Sequence, residues 1–198
     1  MKLVGLTGDP GAGKSTFASV FEGHGVPVFY ADNIAKEVLL EPNFLRLARE
    51  RWGQDFFEDE KLSLYKKIAD KIFNSNEEYD FVTNFVHGET IRIIKEKVQN
   101  LPKDTSFALI EIPLLFETKS QEWLDEVIYI TASLEKRICQ NATRNWTKEE
   151  IARREAKFLD RNFKIANSTI VLENTGTREN WIRVAEKVFE SLEEKFKC

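Results

Sequence analysis

The stretch Gly8-Asp9-Pro10-Gly11-Ala12-Gly13-Lys14-Ser15 matches the phosphate-loop pattern G-x-x-x-x-G-K-[ST] in full. The apolar run Leu3, Val4, Leu6 precedes it, and Phe17, Ala18, Val20 and Phe21 follow at helical spacing. Strand, glycine loop and helix in that order are the context the motif requires. Gly8, Gly11 and Gly13 let backbone N–H groups approach an anion without an intervening Cβ. The helix opening near Gly13 adds unpaired N–H groups and the positive end of its dipole. Lys14 supplies a point charge for the terminal phosphates and Ser15 a hydroxyl ligand for Mg²⁺. The loop Gly8 to Thr16 therefore predicts a nucleoside triphosphate site, with ATP and Mg²⁺ as the expected ligands.

Outward from the loop, short apolar runs alternate with helical patterns, which predicts an α/β fold on a parallel sheet. Five strands are expected near Lys2–Thr7, Pro27–Tyr30, Phe107–Ile112, Glu126–Thr131 and Thr169–Leu172. Trp181, Val184, Ala185, Val188, Phe189 and Leu192 recur at helical spacing and predict a long last helix. Between Asp32 and Pro102 the strand signal disappears. Leu64, Ile68 and Ile72 mark one helix; Phe81, Val82, Phe85 and Val86, continued by Ile91, Ile94 and Val98, mark another. A helical insertion after the second strand belongs beside the carboxyl edge of the sheet, where such folds bind ligands, and it is expected to hold the second substrate.

Composition sets the limits. The 198 residues suit one core carrying insertions, and the 42% apolar fraction supports a substantial interior. A net charge of −4 argues against a broad nucleic-acid surface. Cys139 and Cys198 match no metal spacing and fit a reduced, cytoplasmic protein. No apolar stretch approaches the roughly 20 residues of a membrane span. A monomer or weak homo-oligomer is expected.

Four further segments carry candidate chemistry. Residues Arg137 to Lys164 hold Arg137, Arg144, Arg153, Arg154 and Arg161, either a solvated face paired with Glu149, Glu150 and Glu155, or a lid whose arginines stabilise a transferring phosphoryl group. Asp32, just past the second strand, suits either a helix cap or the base that accepts a hydroxyl proton. Glu111 ends a buried strand where a magnesium-organising acid or an ion pair would sit. Leu114, Leu115 and Phe116 fit core or the wall of a substrate slot. His87, in an apolar helical stretch, reads as structural on physical grounds alone.

Together these segments resemble the dephospho-coenzyme A kinase family. Gly5-Leu6-Thr7-Gly8 with Gly13-Lys14-Ser15-Thr16 resembles its opening, and Tyr30-Ala31-Asp32-Asn33-Ile34-Ala35-Lys36-Glu37-Val38 its Asp-Ala-Asp-x-Ile-Ala-x-x-Val segment. Ile112 to Glu117 is similar to Val-Pro-Leu-Leu-Phe-Glu, Arg144 with Thr147, Glu149 and Glu150 to the lid's start, and Ile170 to Gly176 to the closing strand and turn. The chain departs from the family pattern at Tyr30, at Gly88 after His87, at Asn145 and at Ser168-Thr169.

The resemblance implies a three-layer α/β/α phosphate-loop kinase like the nucleoside-monophosphate kinases, with a five-stranded parallel sheet. Its core would be residues 1–32, 103–136 and 165–198, its acceptor subdomain 33–102 and its lid 137–164. It implies ATP-dependent phosphorylation of the ribose 3′-hydroxyl of dephospho-CoA, with ATP and dephospho-CoA as the small-molecule partners and no nucleic acid or membrane. Catalysis would fall to Asp32, Lys14 and Arg144. Thr7, His87, Leu114, Leu115, Phe116 and Arg137 would line the acceptor side, and Asn174 and Gly176 would lie near the adenine. A guanine-nucleotide switch is disfavoured, because neither N-K-x-D nor D-x-x-G occurs in the chain.

Overall fold

The computed structural model describes residues 1–57, 61–142, 146–156 and 158–197. It divides into two compact units, Met1–Tyr30 with Asn100–Cys198, and Ala31–Gln99.

The first unit is built on five parallel strands: β1 (Lys2–Gly8), β2 (Val28–Tyr30), β3 (Phe107–Glu111), β4 (Glu126–Thr131) and β5 (Ile170–Glu173). Their order is β2-β3-β1-β4-β5. β1 and β3 are buried over most or all of their length, which is why they read as continuous apolar runs rather than alternating ones. Register is set by Val4 opposite Leu109 on one side of β1 and opposite Glu126 on the other. The chain runs from β1 outward to β2, returns to β3, then crosses to β4 beyond β1. The reversal of winding leaves a crevice at the carboxyl end of β1, and the glycine loop occupies it.

Helix α1 (Lys14–Gly23) and the last helix, α9 (Arg178–Phe196), pack together through aromatic rings. Phe17 lies 5.1 Å from Phe21 and 5.6 Å from Trp181, and Phe21 meets Phe189 edge-on at 5.8 Å. Such pairs add to the burial of their area, because ring edges and faces carry opposite partial charge. Gly5 in β1 admits the Leu115 and Leu124 side chains so closely that a Cβ there would lie 2.7 and 2.6 Å from them.

Between β4 and β5 the described residues form three short helices, α6 (Leu134–Gln140), α7 (Lys148–Glu155) and α8 (Arg161–Ala166). Ser133, Asp160 and Thr177 cap α6, α8 and α9 through their side-chain oxygens.

The second unit is entirely helical among its described residues: α2 (Ala31–Val38), α3 (Pro42–Trp52), α4 (Lys61–Asn74) and α5 (Asn76–Gln99), with a 3₁₀ turn at Gln54–Phe57. Pro42 sits in the first turn of α3, where its missing N–H costs nothing. Phe44 centres the core, 5.6 Å from Phe85, with Trp52 and Phe81 around it. Arg51 closes the unit's edge on Glu77 and Glu78 at 2.6 and 2.7 Å. Helix α5 continues for 24 residues through His87 and Gly88. No described helix is long and apolar enough to cross a membrane.

Candidate active site

The phosphate loop connects β1 to α1, and its geometry follows from its glycines and from what grips them. Gly13 adopts φ 100°, ψ 22° and begins α1 with no side-chain cap, unlike α6, α8 and α9. The first-turn amides of α1 are thus left for an anion. A Cβ at Gly13 would stand 2.5 Å from Asn174 Nδ2 and 3.1 Å from Trp181 Nε1, so glycine is needed for space as well as for its left-handed backbone. Lys14 Nζ folds back over the loop and donates to the carbonyls of Gly8 and Asp9, both at 3.1 Å. Ser15 is exposed at the start of α1.

Three side chains from distant parts of the chain hold the loop by its carbonyls. Asn174 Nδ2 donates to Ala12 O at 2.7 Å, Trp181 Nε1 to Gly13 O at 3.1 Å, and Asn141 Nδ2 to Gly11 O at 3.4 Å. Asn174 is 1% exposed and serves the loop, its own N–H bonded to Thr131 O at 2.7 Å. Gly176 stays exposed at φ 73°, its carbonyl accepting from Lys136 Nζ at 2.8 Å. Trp181 read as helix core; a buried indole also needs an acceptor for its N–H, and that was the available signal.

Burial sets what the other expected residues present. Pro10 and Ala12 are buried, so their part of the loop offers backbone rather than side chains. The Asp9 carboxylate is 4% exposed and turned inward, accepting from Tyr129 Oη and Thr131 Oγ1, both at 2.6 Å. Burial, followed by the hydrogen bond to Asp9 and its charge, raises the Tyr129 phenol well above the ordinary tyrosine range. Leu115 and Phe116, 0% and 3% exposed, are packed as core residues, Phe116 against Phe163, while Leu114 is half-buried. Thr7 is buried and donates to Pro113 O at 3.2 Å.

Glu111 ends β3 beside Tyr30 and is buried. Burial, then the charge of Glu22 and its hydrogen bond, then Glu111, push the Tyr30 phenol up to about 12.

The arginine segment divides. Arg153 pairs with Glu150 on an exposed face, the solvated alternative. Arg137 is buried and paired with Glu155 at 2.5 Å, rather than presented to an open site. Arg161 reaches Asp9 at 3.3 Å. Lys164, also buried, pairs with Glu117 at 2.5 Å below the Phe158 ring. Arg137, Glu155, Arg161 and Lys164 line a cleft of about 630 Å³ with Asp9, Pro10 and Glu173. Arg144 lies outside the described residues, as do Asn145 and Cys198. Cys139 is an exposed free thiol.

In the helical unit, Asp32 is exposed in the first turn of α2, two residues after the end of β2, and His87 is half-buried on α5. Among the described residues no group of three or more His, Cys, Asp and Glu side chains forms a metal centre.

Comparison with known proteins agrees with this architecture. The family model for dephospho-CoA kinase matches residues 2–180. A dephospho-CoA kinase from Bdellovibrio bacteriovorus is 30% identical over 197 residues, covering 98% of each chain. The crystal structure of TT1252 from Thermus thermophilus superposes with a TM-score of 0.82 at 26% identity, over 100% of this chain and 98% of that one. The dephospho-CoA kinase from Campylobacter jejuni gives 0.75 at 24% identity, over 98% and 99%. With the phosphate loop intact and the match running through both units, the chain belongs to the dephospho-CoA kinase family.

Proposed function

We propose that this chain performs its family's reaction, ATP-dependent phosphorylation of the ribose 3′-hydroxyl of dephospho-CoA to give coenzyme A and ADP, with the following division of labour. The observation that carries it is the uncapped start of α1 behind a glycine loop whose carbonyls are held by Asn174, Trp181 and Asn141. A loop fixed in that way keeps its N–H groups pointed outward before any ligand arrives, so little reorganisation is needed when phosphates bind. Residues Gly8 to Thr16 take the β- and γ-phosphates, and Lys14 exchanges its two carbonyl partners for phosphate oxygens.

The residues present fit Mg²⁺. That cation keeps several waters and needs few protein oxygens, and the exposed Ser15 hydroxyl supplies one. When bound, it neutralises charge on the phosphate oxygens. On the acceptor side, Asp32 takes the proton of the 3′-hydroxyl and His87 contacts the acceptor. Arg144, with Arg137 once released from Glu155, offsets charge on the transferring group, and Gly176 borders the adenine. Phosphoryl transfer asks little covalent work of a protein, so positioning and electrostatics carry the rate. The enzyme is read as cytoplasmic and as a monomer or weak homo-oligomer.

The test is an acceptor comparison. ADP release, with ATP and Mg²⁺ present, is followed with dephospho-CoA, AMP or adenosine. The reading expects turnover that depends on dephospho-CoA; ADP release with another acceptor alone would keep the kinase and refute this acceptor.

A further inference from the structure

An anion-binding loop that carries a carboxylate has an electrostatic problem, and here the carboxylate is Asp9, the one acidic residue between Gly8 and Thr16. Its charge is absorbed in two ways. Tyr129 and Thr131, both on β4, donate their hydroxyls to its two oxygens at 2.6 Å. Arg161, at the start of α8, places Nε 3.3 Å from Oδ2 and a terminal nitrogen against Thr131 Oγ1. The hydroxyls fix the carboxylate without neutralising it. The full countercharge comes from Arg161, which is half-exposed and lines the same cleft as Asp9 and Pro10. Of the cleft's other ionic groups, Arg137 pairs with Glu155, Lys164 with Glu117 and Asp160 caps α8, while Glu173 adds a second carboxylate, exposed at the end of β5.

We propose that Arg161 is a charge-compensating, positioning residue for nucleotide binding, acting through Asp9 rather than on the phosphates themselves. The inference rests on the loop's being the triphosphate site. The segment between β4 and β5 would then contribute to ATP affinity at its anchored end, α8. Without Arg161, the Asp9 charge faces an incoming triphosphate uncompensated, and affinity falls on electrostatic grounds. Without Asp9 as well, the penalty disappears. A purely structural role for the pair predicts instead that the ATP losses track the melting temperatures of the variants and survive added salt.

The test is a double-substitution cycle read by calorimetric ATP binding, with melting curves confirming that each variant folds. Arg161→Gln is expected to weaken ATP on the order of tenfold at low salt, and Arg161→Lys by less than about twofold, as one unit charge in a partly solvated cleft requires. Adding Asp9→Asn to Arg161→Gln is expected to recover most of that loss. The Arg161→Gln deficit should also shrink as ionic strength rises from about 0.05 M to about 0.5 M. Wild-type binding with a further loss, or no recovery, in the double variant overturns the proposal and leaves the nucleotide site standing. No ATP binding by the wild type would refute the nucleotide reading and the proposal with it.

Discussion

Asn174 offers a sharp test of how the phosphate loop is built. Its side chain is 1% exposed, and its Nδ2 donates to Ala12 O across 162 residues of chain. Its Oδ1 makes no hydrogen bond among the described residues. Asn174→Ala deletes the donor and strands a buried carbonyl, which costs about 1–3 kcal/mol, and it leaves a small void. Losing the unpartnered Oδ1 returns part of that. A net loss of about 2 kcal/mol follows, or about 4–8 °C in melting temperature for a chain of this size. Asn174→Asp separates shape from chemistry, since it keeps the volume but sets a second acceptor against Ala12 O. If donation is the function, Asp is at least as damaging as Ala, and both weaken ATP binding because the adjoining Gly13 turn loosens. Thermal melts by circular dichroism and ATP titrations read by tryptophan fluorescence measure the two effects. An Asp variant that melts and binds like the wild type would show that donation to Ala12 O does not hold the loop.

Three other outcomes follow from the same structure. Gly13→Ala places a Cβ 2.5 Å from Asn174 Nδ2 at φ 100°, so ATP binding should drop by at least about tenfold, measurable by calorimetry. Asp32→Asn should cut turnover by about 10²–10⁴-fold while ATP affinity barely changes; a loss below about tenfold in a coupled assay would make Asp32 a cap rather than a base. Asp125 tests linkage: burial alone would raise its carboxyl, but the Lys2 ammonium and Leu3 N–H, each at 2.8 Å, outweigh it and hold the group below its ordinary value. Its stabilisation is therefore full above the unfolded pKa and lost as pH falls through the lower, folded one. Asp125→Asn should cost about 1 kcal/mol at pH 7, modest because the pair is partly solvated, with the gap between variants closing in melts below about pH 4.

Much of this was legible where physics acts locally. The five strands fall within a residue or two of their expected positions because aliphatic and β-branched runs between helical patterns have few other solutions. Helix α9 followed from the spacing of Trp181, Ala185, Phe189 and Leu192, all buried. The phosphate loop was readable because its chemistry lies in eight consecutive residues. Its supports were not. Asn174 and Trp181 reach the loop over 162 and 168 residues, and Tyr129 reaches Asp9 over 120, through side-chain contacts that leave no periodic trace. The arginines show the same limit, since composition alone does not assign Arg137 to Glu155, Arg153 to Glu150 or Arg161 to Asp9.

In the proposed reaction this chain moves the γ-phosphoryl group of ATP onto the 3′-hydroxyl of dephospho-CoA. The most direct measurement is the position of the new phosphate in the product, read by phosphorus NMR and fragment masses after incubation with ATP, Mg²⁺ and dephospho-CoA. The expected product is a single 3′-phosphomonoester, coenzyme A, formed in step with ADP. A phosphate at another position, or ADP released with dephospho-CoA unchanged, would contradict it.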